Sequence, residues 1–312
     1  MSLLLQDKVK AKPFLKWAGG KGQLIEQMRS YLPKEIVATG RIEKYFEPFV
    51  GGGAIFFWLS QEFEIGKAYL YDVNPEIVLA YKTIKSKVHD LLSELSQLED
   101  AYLKRSDKSR QVYYYERRDE YNNFIEKHVP NNIVRRSALL IFLNKTCFNG
   151  LFRVNSKGLF NVPSGRYSNP KICDEENLLA VRNLLRNTEI ERKDFSFCLE
   201  KVDSQSLVYF DPPYRPISQT ASFTGYIKNG FKDEDQKRLK EVCDKLKKIG
   251  AKIVLSNSDP KNINPNDHFF EELYTGYQIE RLKALRMINC NANRRGVIKE
   301  LLIMNYSIEE IQ

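Results

Sequence analysis

Residues 44–72 read KYFEPFVGGGAIFFWLSQEFEIGKAYLYD. The apolar segment KYFEPFV, at 44–50, reads as a strand that runs into Gly51, Gly52 and Gly53. A helical run, AIFFWLSQ, follows, and AYLYD at 68–72 reads as a second strand. Pro75 then opens another helix. Strand, glycine turn, helix and strand form the opening unit of an α/β sheet. Glycines at such a turn let a ligand approach the backbone closely, which makes Gly51 and Gly53 candidate binding residues. Asp72 ends the second strand about twenty residues on, where a carboxylate commonly accepts hydrogen bonds from ribose hydroxyls. The two features together point to a nucleoside-containing cofactor.

Working outward, residues 76–144 read as almost wholly helical, with Leu91, Leu92, Leu95 and Leu98 at helical spacing. Residues 145–171 are rich in Asn, Gly, Ser and Pro and read as an ordered loop or small hairpin. Alternation of strands and helices resumes with TEIERK at 188–193 and SLVYF at 206–210. A helix at about 232–249, the strand AKIVLS, and strands near 281–288 and 297–305 follow. A helical insert therefore interrupts one α/β domain.

Composition narrows the class. Of 312 residues, 42% are apolar and 29% charged, which excludes a disordered tail, a collagen-like repeat and a disulfide-stapled mini-protein. No apolar run is long enough to span a membrane, and the N-terminal residues lack the order of regions of a signal peptide. A soluble cytoplasmic protein is expected. The cysteines (Cys147, Cys173, Cys198, Cys243, Cys290) are odd in number and far apart, as buried reduced thiols would be. His89, His128 and His268 have no ligand spacing, so no metal is expected.

Net charge is +9, and its distribution says more than its sum. From Lys127 to Cys173 there is no acid, only Lys127, Arg135, Arg136, Lys145, Arg153, Lys157, Arg166 and Lys171. A second acid-free window, Arg281 to Lys299, holds Arg281, Lys283, Arg286, Arg294, Arg295 and Lys299. The rest of the chain is net acidic. Omitting carboxylates keeps the local potential positive, as a polyanion-facing surface requires. The first window interleaves Phe148, Phe152, Phe160 and Tyr167, as a nucleic-acid surface does.

Asp211-Pro212-Pro213-Tyr214 follows the apolar strand SLVYF. A carboxylate at the carboxyl end of a sheet strand sits where open α/β sheets bind ligands. The prolines offer carbonyls and no N–H. Asp211 and a rigid carbonyl thus make two acceptors, which match the two hydrogens of an exocyclic amine. Holding both favours a pyramidal nitrogen with its lone pair aimed at an electrophile. Tyr214 offers a face for a planar base, worth about 1–3 kcal/mol per base. The tetrapeptide is also good turn chemistry in its own right. Upstream, FLKWAGGKG at 14–22 resembles a phosphate loop only superficially, because Leu15 and Gly22 stand where that pattern needs Gly and Ser or Thr. Trp17 and Lys21 could instead close over an adenosyl or methionyl group.

In this order, FLKWAGGK, YFEPFVGGG, LYDVN and DPPY resemble the Dam-type class of DNA N6-adenine methyltransferases. The segment FLNKTCFNGLFRVNSKGLFNVPSGRY is similar to the target-recognition stretch of members that methylate adenine in GATC. The resemblance spans residues 13 to about 305. It departs at Phe148, where Tyr is common, and at the Lys145-Thr146-Cys147 that precedes it. It implies a Rossmann-like, S-adenosylmethionine-dependent methyltransferase sheet (residues 1–75 and 172–312) carrying a mainly helical target-recognition domain (76–171). It implies double-stranded DNA as substrate, base flipping, a restriction-modification or solitary methylase setting, action as a monomer, and no metal.

By motif, the resemblance assigns cofactor contacts to Trp17, Lys21, Asp72 and Asp211, with Asp194 and Phe195 flanking the cofactor adenine. Asp211, Pro212 and Tyr214 would hold the target adenine. Phe148 and Asn149 would sit at the opened base step, and Leu151, Arg153 and Pro163 would read base edges. Lys16 would contact a guanine, while Tyr167, Arg166, Asn155 and Asn161 would brace the loop or the phosphates. Two other readings stay open on sequence: the same fold acting on N4 of cytosine or another amine, and a catalytically inactive DNA-binding module.

Overall fold

A computed structural model describes residues 9–17, 21–127, 132–215, 231–285 and 297–308. Cys290, His128, Arg286, Arg294 and Arg295 lie outside the described residues. The chain forms two compact units. One comprises Lys21–Val50, Glu62–Val73 and Glu191–Gln312, and the other Met1–Gly20, Gly51–Gln61 and Asn74–Ile190.

The first unit is built on a mixed sheet. Its strands are β1 (Arg41–Glu47), β2 (Glu64–Asp72), β3 (Thr188–Arg192, which begins in the other unit), β4 (Ser206–Phe210), β5 (Lys252–Ser258), β6 (Gln278–Leu285) and β7 (Val297–Met304). Their order is β3-β2-β1-β4-β5-β7-β6. The pairs β1–β2, β1–β4 and β4–β5 are parallel, and β7 runs antiparallel to both β5 and β6. This is the expected α/β architecture. Every residue of β4 is buried, as a parallel strand covered on both faces requires.

Short helices α1 (Ile25–Arg29) and α2 (Lys34–Thr39) precede β1. A 17-residue helix, Asp233–Ile249, buries Leu239, Val242, Cys243 and Leu246 along one stripe. Acids fill its first turn, lysines its last, and Gly250 closes it at φ 92°. The core joins these residues to Phe46, Phe210, Ile253, Leu255, Leu301 and Ile303.

The sequence reading carried the first strand to Val50, but β1 ends at Glu47. Pro48 has no N–H to continue the ladder, and the chain turns there. The Val50 N–H still donates to the Tyr71 carbonyl at 3.0 Å, so the turn stays tied to β2.

The second unit is helical: α3 (Ala54–Glu62, all but its last residue here), α4 (Pro75–Leu103), α5 (Asp107–Glu126), α6 (Ile133–Thr146) and α7 (Glu175–Leu184). In chain order the helix of the other unit is then α8 (Asp233–Ile249), and a short α9 (Phe269–Leu273) precedes β6. Asn74 caps α4 by accepting the Glu76 N–H at 2.9 Å, with Pro75 in the first turn. Buried Glu76 holds α6 and α5: it accepts from both Arg136 Nε (2.8 Å) and Nη2, and from the Tyr121 hydroxyl (3.0 Å). Helix α7 was unassigned on sequence.

The helical unit also revises the charge argument. Arg135 and Arg136 were counted toward a polyanion-facing surface. Instead, Arg136 pairs with Glu76, while Arg135 pairs with Glu120 (2.7 Å) and Glu94 (2.9 Å). Lys171 pairs with Asp174 at 2.6 Å. In the second window, Arg281 pairs with Asp259 at 2.9 Å and with Glu271. The stretches lack acids of their own, but neighbouring elements supply them. Arg153 and Arg166 remain exposed. The four described cysteines are free thiols, and no described helix is long and apolar enough to cross a membrane.

Candidate active site

Strand β4 ends at Phe210, and the chain leaves the sheet as Asp211-Pro212-Pro213-Tyr214. Two prolines in succession cannot donate to a neighbouring strand, so the corner must break from the ladder. Against it lies Lys21, in the 3₁₀ turn Lys21–Gln23. Its side chain is charged yet only 2% exposed. Its ammonium is 3.0 Å from Asp211 Oδ1, 3.1 Å from Glu300 Oε2 and 4.5 Å from the centroid of the Tyr214 ring. It also donates to the Tyr214 hydroxyl, which in turn donates to Glu300 Oε2 at 2.6 Å.

Burial pushes the Asp211 carboxyl up to about 6; Lys21 pulls it back, and Glu300 adds to the rise. For Lys21, burial acts downward, but the charges of Asp211 and Glu300 outweigh it and hold the ammonium above the ordinary lysine value. Burial, then Asp211 and Glu300, keeps the Tyr214 phenol protonated. The sign for stability follows. A carboxyl raised to about 6 favours the folded state when protonated, so its contribution is full below the ordinary carboxylate pKa. That contribution is lost as pH rises through about 6. At neutral pH, Asp211 is held ionised at a cost to folding that Lys21 offsets.

The ends of β2 and β3 lie together, because the Asp72 carbonyl accepts from the Lys193 N–H at 3.3 Å. Asp194 caps the 3₁₀ turn Phe195–Glu200, accepting from Ser196 N (3.1 Å) and Oγ (2.7 Å). Arg238 of α8 grips the same carboxylate through Nη1 (2.7 Å) and Nη2 (2.9 Å). Burial would raise the Asp194 pKa, but these donors outweigh it and hold it low. Phe195 is buried, stacked on Phe49 at 5.4 Å, with the Arg238 guanidinium 4.1 Å from its ring centroid.

In the helical unit, Gly51 and Gly53 adopt φ 45° and 72°. A Cβ on Gly51 would lie 2.8 Å from the Trp17 ring, and one on Gly53 would collide with the Tyr81 hydroxyl. Both glycines are thus required by the left-handed backbone and by the protein's own close packing. Trp17 also meets Phe152, with ring centroids 5.5 Å apart.

Residues 147–164 form the small hairpin expected, with bridges Cys147–Ser164 and Val154–Phe160. Phe148 is 52% exposed at its base, and its N–H donates to the Pro163 carbonyl at 2.9 Å. Asn149 has φ 55°, the one non-glycine residue at positive φ among the described residues. Leu151 is half-buried and Pro163 exposed. Exposed Arg153 donates from Nε to Asn161 Oδ1 at 2.8 Å and from Nη2 to the Asn161 carbonyl at 3.2 Å. Asn155 shapes the tip, accepting from the N–H groups of Lys157 (2.9 Å) and Leu159 (3.0 Å).

The buried Asn144 side chain accepts from Lys16 N at 2.7 Å. It donates to the carbonyls of Lys16 and Gly150, each at 2.9 Å. The Lys16 ammonium then lies 4.4 Å over the Tyr167 ring. Lys16, Phe148, Asn149, Pro163 and Tyr167 are therefore gathered in one patch of this unit.

Three residues escaped the sequence reading: Asn144, Arg238 and Glu300. Only Glu300 left a signal. It is the first acid after the second acid-free window, set in the apolar strand VIKELLIM.

Known proteins are similar to this chain over nearly its whole length. The family model described as D12 class N6 adenine-specific DNA methyltransferase matches residues 17–288. The Type II methyltransferase M.MjaIII of Methanocaldococcus jannaschii is 50% identical over 299 residues, covering 96% of this chain and 100% of that protein. The Type II methyltransferase M1.LlaDCHI of Lactococcus lactis subsp. cremoris is 35% identical, with 98% and 99% covered. The DNA adenine methylase of Haemophilus influenzae is 33% identical, with 96% and 95% covered. A buried acceptor corner on an α/β sheet, joined in one chain to an exposed basic hairpin, suits an enzyme that modifies an amine within a nucleic acid, and the chain belongs to the D12 class of N6 adenine-specific DNA methyltransferases.

Proposed function

We propose that this enzyme takes its methyl group from S-adenosylmethionine and delivers it to N6 of an adenine rotated out of duplex DNA, within GATC, and that it acts as a monomer. The observation that carries the reading is the corner at the end of β4, where Asp211, followed by Pro212, stands beside buried Lys21.

The donor set fits the cofactor. Asp72, Asp194 and Asp211 lie at the carboxyl ends of parallel or sheet-edge strands, where they suit ribose hydroxyls and a cation. S-adenosylmethionine, when bound, supplies an electrophilic methyl group on positively charged sulfur. The residues of the chain do the rest by positioning. Asp211 and the Pro212 carbonyl accept the two amine hydrogens, which leaves the nitrogen lone pair free to attack. The surplus proton of the methylated nitrogen passes to Asp211 or to water. Lys21 meets the Tyr214 hydroxyl at the edge of the ring, and the base stacks on a face of it. Stacking of about 1–3 kcal/mol offsets an extrusion cost of a few kcal/mol.

In this reading, residues 76–171 form the target-recognition domain. Exposed Phe148 enters the opened base step beside Asn149, Leu151, Arg153 and Pro163 read base edges, and Lys16 contacts a guanine. To Trp17, Lys21, Gly51, Gly53, Asp72, Asp194 and Phe195 this reading assigns contacts with the cofactor.

Replacing Asp72 with Ala is expected to weaken cofactor binding by about 10- to 100-fold, the loss of a charged hydrogen bond to ribose. Calorimetry on the purified variant measures it, and an unchanged Kd removes the ribose role. The function as a whole is tested by expressing the enzyme in a methylase-deficient host and sequencing N6-methyladenine in its DNA. Methylation confined to GATC supports the reading. Methylation at another site, or in cytosine, contradicts it.

A further inference from the structure

We infer that Glu300 is a positioning residue of the methyl-transfer site: by fixing the Tyr214 hydroxyl and sharing the Lys21 ammonium, it sets where the Asp211 carboxylate and the Tyr214 ring stand. The inference rests on the reading of Asp211 and Tyr214 as the holders of the target adenine.

Three stretches far apart in the chain meet here. Lys21 comes from a 3₁₀ turn, Asp211 and Tyr214 from the corner after β4, and Glu300 from β7. One carboxylate oxygen, Glu300 Oε2, accepts from both Tyr214 (2.6 Å) and Lys21 (3.1 Å). Lys21 in turn reaches Asp211 at 3.0 Å. Two carboxylates therefore share one buried ammonium, and neither can move without disturbing the other's partner.

The backbone of Glu300 is itself held firmly. It pairs with Ser258 on β5 and with Leu282 on β6. The preceding residue, Lys299, donates its N–H to Asn262 Oδ1 (2.9 Å), and its carbonyl accepts from Asn262 Nδ2 (2.7 Å). A carboxylate so anchored is a fixed reference for the Asp211 and Tyr214 side chains, which leave the sheet on the proline corner.

The groups that bear on Asp211 are Lys21, Glu300 and Tyr214, with Tyr45 from β1 and Tyr209 from β4. Tyr45 donates to Glu47 at 2.7 Å and Tyr209 shares a hydrogen bond with Ser256 at 2.7 Å, so both phenols are engaged elsewhere. Glu300 shares the counter-ion of Asp211, Lys21. Removing the charge of Glu300 leaves Lys21 to Asp211 alone and makes Asp211 the stronger acid.

The test uses Glu300→Gln, which keeps the shape and an acceptor oxygen, and Tyr214→Phe, which removes only the hydroxyl. Carbon-13 NMR of enzyme labelled at the aspartate carboxyls follows the Asp211 titration, assigned by the signal lost in Asp211→Asn. In Glu300→Gln, that titration is expected to move to lower pH by about one unit, the scale of a coupled pair. The readout needs no turnover. It therefore separates failure of this inference from failure of the Asp211 reading, which the activity of Asp211→Ala tests.

In methylation assays, Glu300→Gln and Tyr214→Phe are each expected to lower kcat by about 10- to 100-fold with a smaller change in KM. The double variant should lose little more than the worse single one, because Glu300→Gln weakens and Tyr214→Phe removes the same contact. An Asp211 titration left in place by Glu300→Gln, or losses that multiply in the double variant, would overturn the inference.

Discussion

Asp211→Ala is expected to lower kcat about 100- to 1,000-fold while the protein stays folded, the scale seen when one group preorganised around the reacting atoms is removed. The substitution takes away one of the two acceptors for the amine hydrogens. It also leaves Lys21, which is 2% exposed, with Glu300 as its remaining carboxylate. Asp211→Asn is the control for that second effect. It keeps one acceptor oxygen but presents an NH2 donor to an amine that is itself a donor, so it should lose nearly as much. Circular dichroism and a thermal melt establish that both variants fold. The wild-type enzyme should also lose kcat/KM as pH falls through about 6, because Asp211 takes up a proton there and becomes a donor. Turnover by Asp211→Ala within about tenfold of wild type would contradict the assignment.

Arg153→Ala is expected to relax discrimination at one base pair by about 1–3 kcal/mol, the value of a bidentate arginine–guanine contact. Arg153 is exposed on the hairpin, and Asn161 holds its guanidinium through Nε and Nη2. That brace fixes the direction of the fork before DNA arrives. Methylation of duplexes with a single substituted base pair measures the effect, beside binding to a duplex without the site. A uniform loss of affinity on all sequences would mean that Arg153 contacts only phosphate. In that case the slope of log K against log salt would fall by about 0.9.

The places of these two residues in the fold were legible in the sequence because they are set locally. Asp211 follows a run of four apolar residues, and two prolines after it can do little but end the strand. Arg153 stands in an Asn- and Gly-rich stretch that could only be a loop or hairpin. The glycine turn was also legible, although its strand ends at Pro48 rather than Val50, because hydrophobic pattern alone does not register a missing N–H. The reason Gly51 and Gly53 must be glycine was only half visible. Their Cβ positions are filled by Trp17 and Tyr81, from segments 34 and 28 residues away in the chain.

Charge was read least well. Counting acids along the chain sees only neighbours in sequence. Arg135 and Arg136 looked unopposed, yet Glu76, Glu94 and Glu120 approach them from α4 and α5. Glu300 was overlooked for the same reason. Its importance depends on β7 lying next to β5, itself beside β4, and no local pattern encodes that order. The same sheet order brings a conspicuous corner, a buried lysine and an inconspicuous glutamate into one hydrogen-bonded group.

The most direct measurement is a crystal structure of the enzyme with a duplex containing the methylation site and a non-reactive S-adenosylmethionine analogue. The account predicts one adenine outside the helix, its amine nitrogen within about 2.7–3.2 Å of Asp211 and of the Pro212 carbonyl, and its ring against Tyr214. An adenine still stacked in the duplex, or one held elsewhere with the 211–214 corner closed to it, would contradict the account.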